Sequence, residues 1–482
     1  MLSWLYKVRK SIALSFLAAQ LLFFLFAVNF LASNRPRHNL SRSALQHEIT
    51  QTSEKFPENK LSSSHQHSSL SIYQQSSPSS VQVVAERNPG KRLIPKLTNI
   101  PLDSMDVCED FKCKFNSEIR SVFCELHSVA FDLDKLHTNP GGEDLEQVWG
   151  QGEEVEFVRY ATGAVSIGTN CQCSPKDEFV HWTRDFCSSV EETPKTCTMK
   201  IPGNTLALTR YEYANLFHTL TDWFNAFQTM ITFELQLPVN VLLLDGHPKG
   251  SLDDSWERVF GQVYRIGQFN RNQTVCFEKL FIVSPGYASI LFPGNSGIDA
   301  FKPEGRSMLP AFSKFFLSAY DIRQERKTED FKVGYVLRKD YKAHPRIGER
   351  KASRKIVNYQ QLLERVSKEI PSNFQVVELW FEDMSLEEQL KAVSEINLLV
   401  GIHGAGLSHL VFLRDSLTSV YEIAPGEYGA RQFFRLLSNL KGIPITVSTD
   451  PTQGSDSDMI LDIETHVKYL KQAIDQALAH AI

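Results

Sequence analysis

Residues 399–412 read LVGIHGAGLSHLVF and join an apolar run to a glycine-rich turn and then to a second apolar run. We interpret Leu398 to Gly401 as a buried strand and Leu407 to Leu413 as a helix. The turn between them has small side chains or none at most positions, which lets another group approach the backbone closely. In doubly wound α/β sheets ligands bind beyond the carboxyl ends of the strands, so the stretch predicts a ligand site in an open α/β fold.

Two interpretations of this turn stay open. In the first, backbone amides and the positive end of the helix dipole bind an anion such as pyrophosphate, and His403 donates to a phosphate or a sugar hydroxyl. In the second, the glycines serve only close packing of strand and helix, and His403 caps a carbonyl. Glu422, at the end of the next predicted strand, can accept hydrogen bonds from ribose hydroxyls and so favours the anion-binding interpretation. The alternative for Glu422 is an acid on the surface with no such role. The candidate anion-binding turn residues are Gly404, Ala405 and Gly406.

The chain on both sides of this stretch alternates predicted strands and helices. The further strands are Lys332 to Leu337, Gln375 to Leu379, Ser419 to Ile423 and Ile443 to Val447, and the main helices are Tyr359 to Glu369, Ser385 to Ile396, Arg431 to Asn439 and Ile460 to Ala479. This order predicts a parallel sheet covered by helices on both faces. A charged break over Asp321 to Phe331 separates it from earlier α/β segments. We therefore predict two Rossmann-type domains that face a cleft, residues 101–325 and 326–482.

The segment from Tyr213 to Leu235 predicts a long helix that lacks the charged outer face of an ordinary surface helix. Its polar side chains are spaced three, four and three residues apart and so share one face; they are Asn215, His218, Asp222 and Asn225. Burying them costs several kcal/mol unless they bond to one another or line a wet cleft. We predict an acceptor cleft in which Asp222, the first choice, or His218 takes a proton from a sugar hydroxyl. The alternative is an internal His–Asp pair with a structural role.

Two basic residues, Arg338 and Lys339, end the strand Lys332 to Leu337 at the sheet edge that carries the glycine turn. An arginine there can bind phosphate oxygens through two parallel hydrogen bonds, so we predict that both residues bind the phosphate groups of a ligand. The loop that follows is also basic, with Arg346, Arg350, Lys351 and Arg354, although a solvated cluster is the commoner explanation of such a run.

Acidic pairs that could hold a divalent cation occur as D-x-D triplets at residues 132–134 and 456–458. One lies among the cysteines and the other in a Gly/Ser-rich loop, and neither clearly follows a buried strand. We interpret both as surface residues. We expect no divalent metal and no other cofactor, with the leaving-group charge met by amides and arginine.

The first hundred residues contain no globular pattern. Residues 12–32 form an uncharged run of 21 residues, long enough to cross a hydrocarbon layer of roughly 30 Å. Basic residues precede it, which predicts a cytosolic tail (1–11), a transmembrane signal anchor (12–32) and a luminal remainder. A cleaved signal peptide is the alternative, but the run is long and no small-x-small site follows. Residues 33–100 are rich in Ser, Gln and His, and we expect a disordered, flexible stem.

Composition and cysteines limit the possible partners and compartments. A net charge of -5 provides no basic surface for nucleic acid, and we expect no such partner. The eight cysteines all lie between residues 108 and 276, and their even number predicts disulfides in an oxidising compartment. Which cysteines pair stays open. The sequons at Asn39 and Asn272 agree with a luminal, glycosylated chain.

Four segments between about Leu206 and Ile423 resemble glycosyltransferase family 61. They are YEYANLFHTLTDWFNAF, VLLLDGH, LRKDYKAHPR and MSLEEQLKAVSEINLLVGIHGAGLSHLVFL, in that order. Within the family the chain is most similar to the plant-type core β-1,2-xylosyltransferases of N-glycans. The first 200 residues match only in their layout of anchor, stem and cysteine-rich start.

This resemblance implies a single-pass type II Golgi membrane enzyme of GT-B architecture. It also implies transfer of xylose from UDP-xylose to the core β-mannose of an N-glycan, with inversion at the anomeric carbon. The family motifs imply Asn215, His218 and Asp222 on the acceptor side, and Arg338, His403, Gly404, Gly406 and Glu422 on the nucleotide side. A transferase of N-acetylglucosamine or arabinose and a non-catalytic luminal glycan-binding protein remain alternatives. The exact acceptor, the oligomeric state and the general base stay open.

Overall fold

The computed structural model describes residues 82–83 and most of 102–480, leaving out 117–120, 153–155, 169, 177–178, 180, 193–194, 293–307, 325–330, 341–350, 451 and 455. The predicted tail, anchor and nearly all of the stem, together with Asn39, Arg346 and Arg350, lie outside the described residues. So does the predicted domain boundary at residue 325, which stays a prediction. Within the described part of the chain, no helix has the length and apolarity needed to cross a membrane.

Ten strands from the described part of the chain form a mixed N-terminal sheet. They are β1 (Gln82–Val83), β2 (Asp103–Ser104), β3 (Phe111–Asn116), β4 (Ser121–Asp132), β7 (Val165–Ile167), β8 (Val190–Glu191), β9 (Met199–Leu208), β10 (Asn240–Leu243), β11 (Val263–Arg265) and β12 (Thr274–Ile282). The main order is β11-β10-β9-β12-β4-β3-β2. Strand β9 pairs in parallel with β10 and β12, and β10 pairs in parallel with β11. Strand β4 is antiparallel to both of its neighbours in this order, β12 and β3. Strands β5 (Leu136–His137) and β6 (Arg159–Tyr160) pair separately.

Poor periodicity from about Leu102 to Cys197 predicts only short strands and loops in the cysteine-rich segment, and this prediction is wrong for β4. This strand has 12 residues and pairs with β12 over residues 124–132, so it extends the sheet itself. Most of its side chains on both faces are buried. A strand buried on both faces lacks the polar alternation that reveals a strand in the sequence.

All eight cysteines form disulfides, as their even number predicts. The pairs are Cys108–Cys171, Cys113–Cys124, Cys173–Cys187 and Cys197–Cys276. Cys113–Cys124 joins the neighbouring antiparallel strands β3 and β4, and Cys197–Cys276 joins the segment just before β9 to its parallel neighbour β12. One cross-link therefore lies within the antiparallel extension and another within the parallel centre of the sheet.

The C-terminal sheet confirms the predicted parallel α/β arrangement. Its strands are β13 (Phe331–Val336), β14 (Phe374–Leu379), β15 (Leu398–Ile402), β16 (Ser419–Pro425) and β17 (Ile445–Asp450), all parallel in the order β14-β13-β15-β16-β17. The strand order reverses between β13 and β15. A ligand crevice is expected outside the carboxyl ends of the strands at such a reversal, and the glycine turn and Arg338 lie there.

Nine helices accompany these sheets in the described residues. They are α1 (Leu145–Val148), α2 (His181–Ser188), α3 (Leu216–Thr232), α4 (Asp254–Val259), α5 (Met308–Ser318), α6 (Tyr359–Glu369), α7 (Leu386–Ser394), α8 (Phe433–Lys441) and α9 (Ile463–Ala479). Residues 405–412, predicted as a helix from Leu407, form a 3-10 segment instead. The prediction of a largely buried helix is confirmed for α3, in which only His218 and Thr232 have partly exposed side chains. One hydrophobic cluster includes α3, α5, the 3-10 segment and α8, so both sheets share a core.

Candidate active site

A cavity of about 470 Å³ opens between the carboxyl edges of the two sheets. Its volume lies within the usual range of small-molecule sites. Residues before and within α3 and before α4 line one wall, and the glycine turn with its neighbours lines the other. The lining includes Glu212, Ala214, Asn215, Ser251 and Leu252 on the first wall and Arg338, Phe381, Glu382, Gln389, Gly404, Ala405, Gly406 and His409 on the second.

The glycines of the turn lie in two different kinds of surroundings. A Cβ atom at Gly406 would lie 2.8 Å from Val336 Cγ1, and one at Gly401 would lie 3.1 Å from Val336 Cβ. These two glycines are therefore required for close packing of the turn on β13. At Gly404 the nearest atom to a Cβ would be Arg338 Nη1 at 3.6 Å, an ordinary contact distance. Gly404 is small for a different reason, because it faces the cavity.

Two arginines converge on Gly404 from the C-terminal wall. Arg338 Nη1 donates to the Ser353 carbonyl at 2.7 Å, and Arg354 Nη1 donates to the His403 carbonyl at 2.5 Å. Burial, and next the nearby charge of Arg338, lower the pKa of Arg354. Among the described residues no carboxylate forms an ion pair with Arg338. Two adjacent guanidinium groups beside backbone amides make a strong site for a phosphate group.

The ring of His403 is held by the carboxylate of Glu422. The partner of this ring nitrogen is therefore a side chain and not the carbonyl group that the second interpretation of the turn requires. His403 Nδ1 lies 2.5 Å from Glu422 Oε1, and both side chains are buried. The His403 ring stacks on Tyr428 with 4.6 Å between ring centroids. Glu422 therefore orients His403 through one oxygen, and neither residue is a surface acid or base.

Lys339 is placed apart from the cavity. Its ammonium group pairs with Asp383, and both side chains are exposed. Lys339 is also absent from the lining residues, whereas its neighbour Arg338 is among them. Of the two basic residues at the end of β13, Arg338 therefore faces the cavity and Lys339 faces the exposed carboxylate of Asp383.

Asn215 lines the first wall of the cavity, and His218 lies close to it on α3 without being among the lining residues. Asn215 Oδ1 accepts a hydrogen bond from the Phe217 amide at 2.9 Å and so caps α3. His218 follows one helical turn later on the same face and is half-buried. Burial lowers the pKa of His218, so its imidazole is neutral and able to accept a proton near pH 7. Its ring lies 4.9 Å from the Tyr211 ring.

Asp222 and Asn225, further along α3, are enclosed and bind a neighbouring backbone segment. The Gly286 amide donates to Asp222 Oδ1 at 2.7 Å, and Asn225 Nδ2 donates to the carbonyls of Ser284 and Pro285. Burial raises the pKa of Asp222 well above its usual range, against the opposing effects of the Gly286 amide and Arg210. The four polar residues of the α3 face thus divide into an open pair and an enclosed pair.

Several lining residues escaped the sequence interpretation. His409 Nδ1 lies 2.8 Å from the Gly406 carbonyl oxygen, and its Nε2 lies 2.9 Å from Gln389 Oε1. Burial lowers the pKa of His409 to about 4, so the ring is neutral at physiological pH. Glu212 and Ser251 come from connecting segments, which have no periodic pattern. Arg354 lies beside Gly404 without being among the lining residues, and in the sequence it could be recognised only as one charge in a basic loop.

The acidic triplets show other partners in the described part of the chain. Asp132 pairs with Lys195, Asp456 accepts from the Tyr428 hydroxyl, and Asp458 accepts from the Lys355 amide. No group of three or more His, Cys, Asp or Glu side chains among the described residues is arranged to hold a metal ion. The sequon residue Asn272 is exposed in the turn before β12.

Comparison with known proteins gives consistent matches. The family model described as Glycosyltransferase 61 matches residues 179–421, a range that contains every lining residue named above. Beta-1,2-xylosyltransferase RCN11 of Oryza sativa subsp. japonica is 31% identical over 372 residues, covering 69% of this chain and 68% of the relative. Beta-1,2-xylosyltransferase of Arabidopsis thaliana is 25% identical over 402 residues (69% and 74%). EGF domain-specific O-linked N-acetylglucosamine transferase of Bos taurus is 25% identical over 289 residues (55% and 51%).

Proposed function

Since the chain belongs to glycosyltransferase family 61, we propose that it is a β-1,2-xylosyltransferase that uses UDP-xylose and acts on the core β-mannose of N-glycans. The relatives from Oryza sativa and Arabidopsis thaliana, both named as β-1,2-xylosyltransferases, support the transferred sugar and linkage. The observation that carries the proposal is the cavity with cationic groups on one wall and a proton acceptor near the other.

The C-terminal wall supplies the donor site in this proposal. Arg338, Arg354 and the amides that begin the 3-10 segment would hold the diphosphate, since the first amides of a helical segment have no partner within it. The negative charge that develops on the departing UDP is then met by fixed cations and dipoles. Such a site has no need of a divalent metal, and the proposal includes none.

The N-terminal wall supplies the acceptor site. The acceptor hydroxyl oxygen bonds to the anomeric carbon of xylose as the bond from that carbon to the UDP oxygen breaks, which inverts the anomeric configuration. We assign the proton of that hydroxyl to His218, because its ring is neutral and partly exposed. The sequence-based first choice, Asp222, has a fully buried carboxyl and remains a prediction to be tested against His218.

The architecture and location also belong to the proposal. We infer a GT-B arrangement of two Rossmann-type domains, supported by the parallel C-terminal sheet and the parallel centre of the N-terminal sheet. Four disulfides support an oxidising compartment such as the Golgi lumen. The proposed anchor would place the catalytic part there, in type II orientation.

A donor screen tests this function. The purified protein is incubated with a biantennary N-glycan and either UDP-xylose, UDP-N-acetylglucosamine or UDP-arabinose, with and without EDTA. We expect a mass gain of one pentose from UDP-xylose alone, unchanged by EDTA. Transfer from UDP-N-acetylglucosamine would instead support the function named for the Bos taurus relative. Binding of the glycan without transfer from any donor would support a glycan-binding protein.

A further inference from the structure

Two partly exposed tyrosines lie beside His218 and have no role in the proposal so far. Tyr211 has 47% and Tyr287 has 37% of its surface exposed. Their ring centroids are 5.6 Å apart with the ring planes at 72°, and Tyr211 also contacts the His218 ring. Single exposed aromatic residues are common, but a contacting pair beside a candidate proton acceptor suggests a binding surface. We call Tyr211 and Tyr287 the tyrosine pair.

The position of Tyr211 is set by the buried residue before it. Arg210 is buried and donates to Asp245 at 2.6 Å and to Asp253 at 2.7 Å, and its own amide donates to Asp245. Both acids lie beyond the carboxyl end of β10, so the ion network holds the backbone of Tyr211 against the sheet edge. The ring of Tyr211 is thereby presented outward.

The position of Tyr287 is set by α3. Its neighbour Gly286 donates an amide to Asp222, and Asn225 binds the two preceding carbonyls. A Cβ at Gly286 would lie 2.7 Å from Asp222 Oδ1, so the segment packs directly on the helix. The enclosed polar residues of α3 therefore hold one half of the tyrosine pair. A surface ordered before binding loses less entropy when a ligand binds.

We propose that the tyrosine pair binds a pyranose ring of the acceptor glycan, next to the hydroxyl that His218 deprotonates. The inference rests on the proposed function and names the subsite of the acceptor. A pyranose has a face of C–H groups with hydroxyls at its rim, and a tyrosine offers an apolar ring face with a hydroxyl at its edge. Two rings set at a steep angle would contact the sugar from two sides.

The base of the nucleotide is the other flat group in the reaction, and it would also stack on tyrosine. The tyrosine pair, however, belongs to the N-terminal half together with His218. The arginines and the glycine turn that would hold the diphosphate are on the opposite wall. This placement favours the acceptor, and the experiment separates the two ligands by measuring each one.

The test uses Tyr211→Ala and Tyr287→Ala, with Tyr211→Phe and Tyr287→Phe as matched variants that keep the ring. Steady-state kinetics with UDP-xylose and a biantennary N-glycan give the KM of each substrate, and calorimetry gives the Kd of UDP. We expect each alanine variant to raise the acceptor KM about three- to tenfold. The donor KM and the UDP Kd should stay within about twofold, and the phenylalanine variants should keep an acceptor KM near the wild type.

A control variant, Ile460→Ala, removes a side chain that is 63% exposed in the C-terminal half and should change neither KM. Thermal unfolding verifies that all variants fold. An unchanged acceptor KM in both alanine variants, or an equal rise in the donor KM, would overturn the subsite.

Ligand-observed NMR with the glycan alone separates this inference from the proposed function. Glycan binding that is lost in the alanine variants supports the subsite even if the wild type transfers no xylose, a result that would reject the proposed function only. If the wild type binds no glycan either alone or with UDP, the subsite itself is rejected.

Discussion

The same substitution, glycine to alanine, should have opposite effects at Gly404 and Gly406. The two residues lie two positions apart in one turn, yet the space around them differs. At Gly406 the added methyl would lie 2.8 Å from Val336 Cγ1, closer than real contacts allow. Val336 is β-branched and belongs to strand β13, so neither its side chain nor its backbone can easily move away. We expect Gly406→Ala to lower the free energy of unfolding by about 1–3 kcal/mol, the usual cost of overpacking.

At Gly404 the methyl would lie 3.6 Å from Arg338 Nη1 and 3.8 Å from Arg354 Nη1, both ordinary contacts. The backbone there is extended, with φ 165° and ψ 170°, a conformation open to any residue. Alanine also reduces the freedom of the unfolded chain, so the protein should be as stable as the wild type or up to about 1 kcal/mol more stable. The methyl would, however, stand between two guanidinium groups, in the space that a bridging phosphate oxygen needs.

We therefore expect Gly404→Ala to weaken UDP binding at least tenfold, or about 1.4 kcal/mol, without loss of stability. Urea unfolding followed by tryptophan fluorescence measures the stability of both variants, and isothermal titration calorimetry measures their UDP affinity. The turn would be only a packing device if Gly404→Ala bound UDP as tightly as the wild type. Equal destabilisation by both substitutions would refute the distinction between the two glycines.

Three further predictions address single side chains. The pKa of Asp222 is raised in the folded state, so the folded protein holds this proton more tightly than the unfolded chain does. The free energy of unfolding should therefore fall as pH rises from about 4 towards the raised pKa, by up to about 1.4 kcal/mol per pH unit. Asp222→Asn should lack this loss when urea unfolding is compared across pH, and identical pH profiles would contradict it. Arg338→Ala should weaken UDP binding at least tenfold by calorimetry, whereas Lys339→Ala should change it less than twofold. His218→Gln should lower kcat by about a hundredfold or more with an unchanged UDP Kd; a greater loss in Asp222→Asn would identify Asp222 as the proton acceptor.

The C-terminal sheet could be predicted from the sequence because strands rich in apolar residues alternate there with amphipathic helices. Each element carries its own pattern, and the alternation of strand and helix itself indicates parallel pairing. The N-terminal extension is different. Strand β4 pairs with β12, which lies more than a hundred residues away, and the disulfide Cys197–Cys276 also joins distant segments. No local pattern contains that information.

The same contrast applies to the candidate site. The position of Arg338 near the glycine turn could be predicted because β13 and β15 are parallel neighbours, so their carboxyl ends meet at one edge. Arg354 could not be placed in this way. It lies outside any strand and has a positive φ of 63°, so its direction depends on the local backbone and its packing. Gln389 and His409 line the cavity from helical segments. The positions of these segments depend on how the whole C-terminal part of the protein packs, which the local sequence does not reveal.

The polar face of α3 shows a limit of helical periodicity itself. Spacing determines the angle of a side chain about the helix axis, and it correctly assigns Asn215, His218, Asp222 and Asn225 to one face. It does not determine what lies beside each turn along the axis. At 1.5 Å per residue, Asn215 and Asn225 are about 15 Å apart, far enough for one to line a cavity while the other binds backbone carbonyls. The catalytic and the structural interpretations of this face are therefore compatible, because they apply to different turns of the same helix.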